Sequence, residues 1–413
     1  MTRRPAARRP TLLLLAGLTL TACAAPSSTA PTTSSSGSPA PSFADVEAAA
    51  QGQTVSLWMY GGDDQGNAYV DDNLIPAAAA KGVTLRRVPV ADTGEAITRI
   101  LSERQAGSTD GDVDLVWVNG NNFGTAKQAG GWLCDWAQDL PNRQFVDPAD
   151  PLLETDFGTP IDGCESPWHK AQFTLVYDSA KVSDPPTTLQ GVLDWAEAHP
   201  GRFTYPAPPD FTGSVFLREV AVAQGSVPVE HSAEAAAKVT PGLYATLNDL
   251  APSLWREGTT YPKDQAELDK LYAGGEVDMT MTYGPATLTD LVANGTFPST
   301  TKVLTLTDGT VGNASFLAIP STSGSQAGAK VVANLALSPE QQLKKAEPDV
   351  WGQFTVLDTA LLDDADASAF AALPSSPVVP SYEELSRGAH AELGSAWVPV
   401  LDEGWRRQVL AGS

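Results

Sequence analysis

The sequence predicts a mixed α/β protein organised as two domains, and three observations carry that expectation. Strand-like and helix-like runs alternate from Thr54 to Gly120. Hydrophobic residues make up 42% of the 413, enough for sizeable cores. The body behind the low-complexity N-terminal stretch is about 370 residues, more than one core usually serves.

The chain begins with a cationic start, Arg3, Arg4, Arg8 and Arg9, and then an apolar run from Thr11 to Leu20. Such a run matches a signal-peptide core and is too short for a bilayer, which takes roughly 20 residues. Thr21 and Ala22 sit directly before Cys23, and L-T-A-C resembles the lipobox of bacterial lipoproteins. That resemblance implies cleavage before Cys23 and lipid on its thiol; the alternative is an ordinary secretory signal with a chance cysteine. Residues 1–22 are the expected leader. Residues 23–42, rich in Ser, Thr, Pro and Ala, are the expected tether, with too little apolar content to offset ordering.

Element by element, "TVSLWMY" (54–60) reads as a strand, "AYVDDNLIPAAAAKG" (68–82) as a helix and "VTLRRVPV" (83–90) as a second strand. "EAITRILSERQAG" (95–107) has Ile97, Ile100 and Leu101 at helical spacing, and "DVDLVWVNG" (112–120) is a third strand. This alternation implies parallel pairing with right-handed crossovers. Further on, "AQFTLVYDSAKV" (171–182) is a long strand and a turn, "LQGVLDWAEAHPG" (189–201) a helix, and "RFTYPAPP" (202–209) a short strand. "DFTGSVFLREVAVAQG" (210–225) is a loop feeding a helix, and 266–295 reads helix, strand, turn, helix. Two strands fill 301–320, and 325–342 is helical to about Leu337.

Loss of the leader removes four arginines and takes the net charge from −23 to about −27. That balance excludes nucleic acid, whose binding rests on cationic side chains neutralising phosphates, and an electrostatic hold on anionic lipid. Cys134 and Cys164 remain as a pair in an exported chain, where two cysteines usually bridge; the alternative is two buried thiols.

Four segments, in order, resemble the bacterial extracellular solute-binding proteins that serve ABC importers: "VDLVWVNGNNF", "PWHKAQFTLVYDSAKV", "GEVDMTMTYGPA" and "SFLAIPSTSGSQAGAKVVANLALSPEQQ". "GGWLCDWAQDLPN" (130–142) points within that family to its YnjB-type branch. The resemblance implies an α/β, two-lobe periplasmic-binding-protein-like fold with hinge-crossing strands near 171–178 and 313–320. Residues 43–172 and 320–413 form the first lobe and 173–319 the second, with the C-terminal helices free to pack on either. The implied partners are a small solute and the permease subunits, with membrane attachment through Cys23 and a monomeric chain. No cofactor and no metal is implied.

Ligands of open α/β sheets sit beyond the carboxyl ends of strands, and four loops qualify. In "WMYGGDD" (58–64), Trp58 and Tyr60 share a strand face, and Gly61 lets a backbone come close; Trp58 reaches the ligand or packs on a lobe helix. In "NGNNF" (119–123), Asn119 and Asn121 offer donors and acceptors or simply make a turn. In "PDFTGS" (209–214), Asp210, Thr212, Gly213 and Ser214 start a helix, either as ligand contacts or as its cap. In "TYGP" (282–285), Tyr283 is the expected contact. Aromatic rings beside acids suit a thiamine-like cation, while the helix start leaves a phosphorylated or carboxylated solute open. The competing class is a secreted lipoprotein hydrolase, but neither a G-x-S-x-G elbow nor H-E-x-x-H is present, so no enzyme is expected.

Cys23→Ala is expected to move the protein from the membrane fraction to the medium. Fractionation and immunoblotting check this, and retention of the variant on membranes contradicts the lipid anchor.

Overall fold

The computed structural model describes residues 42–411. The leader, Cys23 and all of the tether but Ser42 lie outside the described residues. Among the described residues no helix is long and apolar enough to cross a membrane. Ser42 caps the first helix, α1 (Phe43–Ala50), in a reciprocal capping box with Asp45.

β1 (Thr54–Tyr60) buries Val55, Ser56, Leu57 and Met59, the near-continuous burial of a parallel strand covered on both faces. It runs parallel to β2 (Thr84–Val90) over its full length and to β3 (Leu115–Val118). The first crossover starts earlier than its periodicity suggests. Asp63 accepts the Gly66 N–H at 2.9 Å and opens α2 (Asp64–Tyr69). A π turn (Val70–Leu74) and α3 (Ile75–Ala80) complete it. Gly66 and Asn67 are poor helix formers, which hid a start that the cap supplies. The second crossover is α4 (Thr93–Gln105), capped by Asp92.

After α5 (Asn121–Gln128), a small hairpin pairs β4 (Thr155–Asp156) with β5 (Thr159–Pro160). β6 (Glu165–Gln172) then leads through Phe173 into β7 (Thr174–Asp178). Trp168 belongs to the core around β1, whereas Phe173, Leu175 and Val176 belong to a second core. That core is covered by α6 (Leu189–Ala198), α7 (Phe211–Ala223), α8 (Ala233–Leu250) and α9 (Gln265–Ala273). Its sheet has the antiparallel order β8 (Met279–Thr282), β7, β9 (Thr301–Val303). The expected strand at 202–209 is absent from it. Prolines at 206, 208 and 209 remove three ladder donors, and the extended segment instead takes single bonds, such as Trp255 N–H to the Phe203 carbonyl at 2.8 Å.

α10 (Leu288–Ala293) precedes β9, and β10 (Val311–Ala318) then carries the chain back. Val311 lies in the second core and Ala314 and Phe316 in the first. β10 pairs antiparallel with both β3 and β6. The two crossings therefore fall at 171–173 and 311–314. α11 (Gln326–Ala336) packs on α1 and β1, and α12 (Pro339–Ala346) follows it. β11 (His390–Ala391) adds to β10 in parallel. The C-terminal helix Trp397–Trp405 packs on α7 and α8 and puts Trp397, Leu401 and Trp405 into the second core. Cys134 and Cys164 form a disulfide between α5 and β6.

Candidate functional site

Tyr60, the last residue of β1, is 45% exposed. Its phenol is held above its ordinary range by partial burial and then by the charges of Asp63, Asp210 and Asp264. Asp63 caps α2 at the β1 end and the other two cap α7 and α9, so acids of both lobes lie within electrostatic reach of one phenol. The Gly61 N–H donates to the Val90 carbonyl at 2.9 Å. A Cβ at Gly61 would stand 2.7 Å from Pro89 Cβ, so glycine here serves close packing on β2. Trp58 packs away from this point: its indole N–H reaches the Asp112 carbonyl at 3.3 Å, and its ring lies on the cluster of Ile97 and Val116.

The β3 end turns at Gly120, whose φ of 63° favours glycine. Its N–H is held by Asp156 Oδ1 at 2.7 Å. Asn119 is half-buried and Asn121 exposed, and neither side chain takes a protein hydrogen bond among the described residues. Both are available to a solute.

On the second lobe, Asp210 caps α7 by accepting the Gly213 N–H at 2.9 Å, and it also accepts the Gln265 N–H at 3.2 Å. Thr212 is buried, and a Cβ at Gly213 would collide with the Pro206 carbonyl. Ser214 donates to Asp402 Oδ1 at 2.7 Å. The helix start is thus largely spent inside its own lobe. The residue that projects from it is Phe211, 42% exposed, which no sequence signal marks.

Phe211 meets Tyr283 edge-on with centroids 5.2 Å apart, and it lies 6.2 Å from the ring of Phe157, at the tip of the β4–β5 hairpin. The three rings bridge the lobes. Arg218 lies 5.2 Å over the Phe157 ring and makes a bidentate ion pair with Glu392 at 2.8 and 2.9 Å, with both side chains 1% exposed. Tyr283 is buried, and its hydroxyl has no hydrogen-bond partner. Asp156, Phe157, Arg218 and Glu392 were not legible from periodicity, because Asp156 falls in a two-residue strand, Phe157 in its turn, Glu392 just past another two-residue strand, and Arg218 lies mid-helix.

His169 is buried. It sits in a tetrad with Trp117, Trp168 and Trp351, all pairs 5.1–5.7 Å apart. Burial and then the Lys345 charge hold it neutral. Trp351 ties this tetrad to the site by donating to Asp63 Oδ2 at 2.8 Å.

The family model for bacterial extracellular solute-binding proteins matches residues 76–374. The chain belongs to this family. It is 37% identical over 366 residues to Protein YnjB of Escherichia coli K12, covering 87% of this chain and 92% of that one. The fold is similar to a spermidine/putrescine ABC transporter substrate-binding protein, PotD, from Streptococcus pneumoniae. There the TM-score is 0.61 at 14% identity, over 86% of this chain and 98% of that one. A periplasmic thiamin binding protein gives a TM-score of 0.58 at 16% identity, over 86% and 96%. This solute-binding protein is therefore an exported component of an ABC importer. It captures a small solute and works with the permease subunits.

Asp156 is fully buried, and desolvation pushes its carboxyl up to about 7 against an ordinary 3.8, although Gly120 and Asn313 hydrogen bonds oppose the rise. Between those values the folded chain binds the proton that the unfolded chain releases, so this residue's contribution to stability is lost as pH rises from about 4 to about 7. Relative to Asp156→Asn, the unliganded wild type should lose thermal stability across that window. Scanning calorimetry at several pH values checks this; a pH-independent difference contradicts it.

Proposed function

We propose that the solute is a small organic cation, held between the lobes against Tyr60, Asn119 and Asn121 on one side and Asp210, Phe211 and Tyr283 on the other. The observation that carries this is that Asp63, Asp210 and Asp264, the caps of helices on both lobes, all lie within electrostatic reach of the Tyr60 phenol. Like charges brought together by lobe closure repel, and a cation between them reverses the sign. Aromatic faces add roughly 0.5–2 kcal/mol of cation–π attraction. A phosphorylated or carboxylated solute is the weaker reading, because the buried guanidinium of Arg218 is already paired with Glu392. Fold likeness at 14–16% identity does not choose the ligand; the acids around Tyr60 are what support a cation.

We also read the protein as a binding protein without catalytic activity, monomeric and anchored by lipid on Cys23. Its histidines occupy packing positions: His199 stacks on Trp195, His231 meets Trp397 edge-on, and His169 lies in the tetrad. His390 pairs with Glu219 at 3.5 Å.

A bound solute at a hundredfold excess over its dissociation constant adds about 2.7 kcal/mol of apparent stability. A thermal-shift panel of putrescine, spermidine, thiamine and choline against fructose 6-phosphate and succinate is expected to raise the melting temperature with at least one cation and with neither anion. A shift with an anion alone contradicts the cationic reading.

A further inference from the structure

We propose that Trp351 is a positioning residue for cation capture: its indole N–H holds the Asp63 carboxylate charged and in a fixed orientation beside the Tyr60 phenol, where the positive group of the solute sits. The proposal deepens the cationic reading above and rests on it. It singles out Asp63 as the acid that anchors the charge.

The stretch after β1 is shaped by two close approaches. A Cβ at Gly62 would collide with the Tyr60 hydroxyl, so the phenol folds back over the backbone that leads into Asp63. A Cβ at Gly66 would stand 2.7 Å from Trp351 Cζ2 and 3.1 Å from Asp63 Oδ2, so the indole packs directly on the first turn of α2. Trp351 arrives from the segment after α12, 288 residues beyond Asp63. Its backbone N–H donates to the Glu347 carbonyl at 3.1 Å. The side chain is fully buried, stacked on Tyr69 with centroids 5.5 Å apart and edge-on to Trp117 and Trp168 at 5.7 and 5.3 Å. Rings on several sides thus fix the indole, whose N–H meets Asp63 Oδ2 at 2.8 Å while the Gly66 N–H meets Oδ1 at 2.9 Å.

Each carboxylate oxygen has two lone pairs, so one bond to each fixes the group and leaves capacity for a solute. The indole is a donor without charge. It opposes the rise that burial imposes on the Asp63 carboxyl, yet it leaves the negative charge unneutralised. A lysine or arginine in its place would consume that charge. The guanidinium that borders α2, Arg87 on β2, is committed to Asp71 at 2.9 and 2.6 Å and to Asn67 at 3.1 Å. The other two acids near Tyr60 are held differently. Asp264 Oδ2 lies 3.5 Å from Lys263 Nζ, and Asp210 accepts backbone N–H groups on both oxygens. Asp63 is the one whose second oxygen is held by a side chain distant in sequence. Fixing it beforehand removes side-chain freedom that binding would otherwise have to freeze.

Titration calorimetry with putrescine, spermidine, thiamine and choline tests this on the wild type, Trp351→Phe, Asp63→Asn and the double variant, read as a mutant cycle. Phenylalanine keeps a ring in the tetrad and removes the N–H, and the melting temperature of each free variant checks its fold. For a cation that binds the wild type, Asp63→Asn is expected to weaken binding roughly tenfold or more, and Trp351→Phe about three- to tenfold. Adding Trp351→Phe to Asp63→Asn is expected to change affinity by less than about twofold. A merely structural tryptophan would weaken binding by the same factor in both backgrounds. That result, or an unchanged affinity in Trp351→Phe, overturns the positioning role and leaves the cationic reading standing. If Trp351→Phe fails to fold, the indole N–H spectrum of isotope-labelled wild type carries the test. The signal that Asp63→Asn displaces is expected to move as the cation is added, and a signal that stays in place overturns the role. Failure of all four cations to bind the wild type overturns both readings.

Discussion

The site depends on β10 crossing from one core to the other while paired with β3 and β6. That single strand fixes where the two lobes meet, and its register is set by buried polar groups. Gln172 Nε2 donates to the Thr310 carbonyl at 2.8 Å, and Thr310 Oγ1 donates to the Phe173 carbonyl at 2.6 Å. Glu219 Oε1 accepts the Val311 N–H at 2.5 Å. Each bond joins segments more than ninety residues apart, so a slip of the strand would leave several buried groups unpaired at once. Asn313 on the same strand reaches Asp156, and Asp156 holds the Gly120 turn. The loop at the end of β3 is thus connected to the crossing point through one carboxylate.

From that frame the electrostatics follow. Strand ends and helix starts of both lobes face one another, and this chain places acids there. Asp63 and Asp210 are both spent as helix caps, yet each stays close enough to Tyr60 to be felt. Capping and ligand attraction are therefore compatible uses of one side chain: one oxygen accepts the backbone N–H while the charge remains. Burial raises Asp63, Asp210 and Asp269, the last to about 6. A bound cation would oppose that rise and favour the charged forms of Asp63 and Asp210.

Elements with strong periodicity were legible in the sequence. β1 occupies 54–60, the run that stops at Gly61 and Gly62, and α11 ends at Ala336 with Leu337 as its cap. The strand at 202–209 failed because prolines cannot complete a ladder. At the candidate site, the strand-end position of Tyr60 was readable from the two glycines that follow it, and its ring is 45% exposed there. Trp58, two residues earlier, instead found a cluster that only tertiary packing reveals. Ser214 carried a genuine helix-start signal, but its hydroxyl is taken by Asp402, 188 residues later. Asp156 and Glu392 left no local signal, because their importance comes from contacts between segments that sequence spacing cannot encode.

The central claim is that the lobes close around a cation. Denaturing the protein after gentle purification from its native host, and identifying the released small molecule by mass spectrometry, tests this most directly. The account predicts an organic cation, present near one per chain and absent from a Tyr60→Ala/Tyr283→Ala variant. A stoichiometric phosphorylated or carboxylated anion would contradict it.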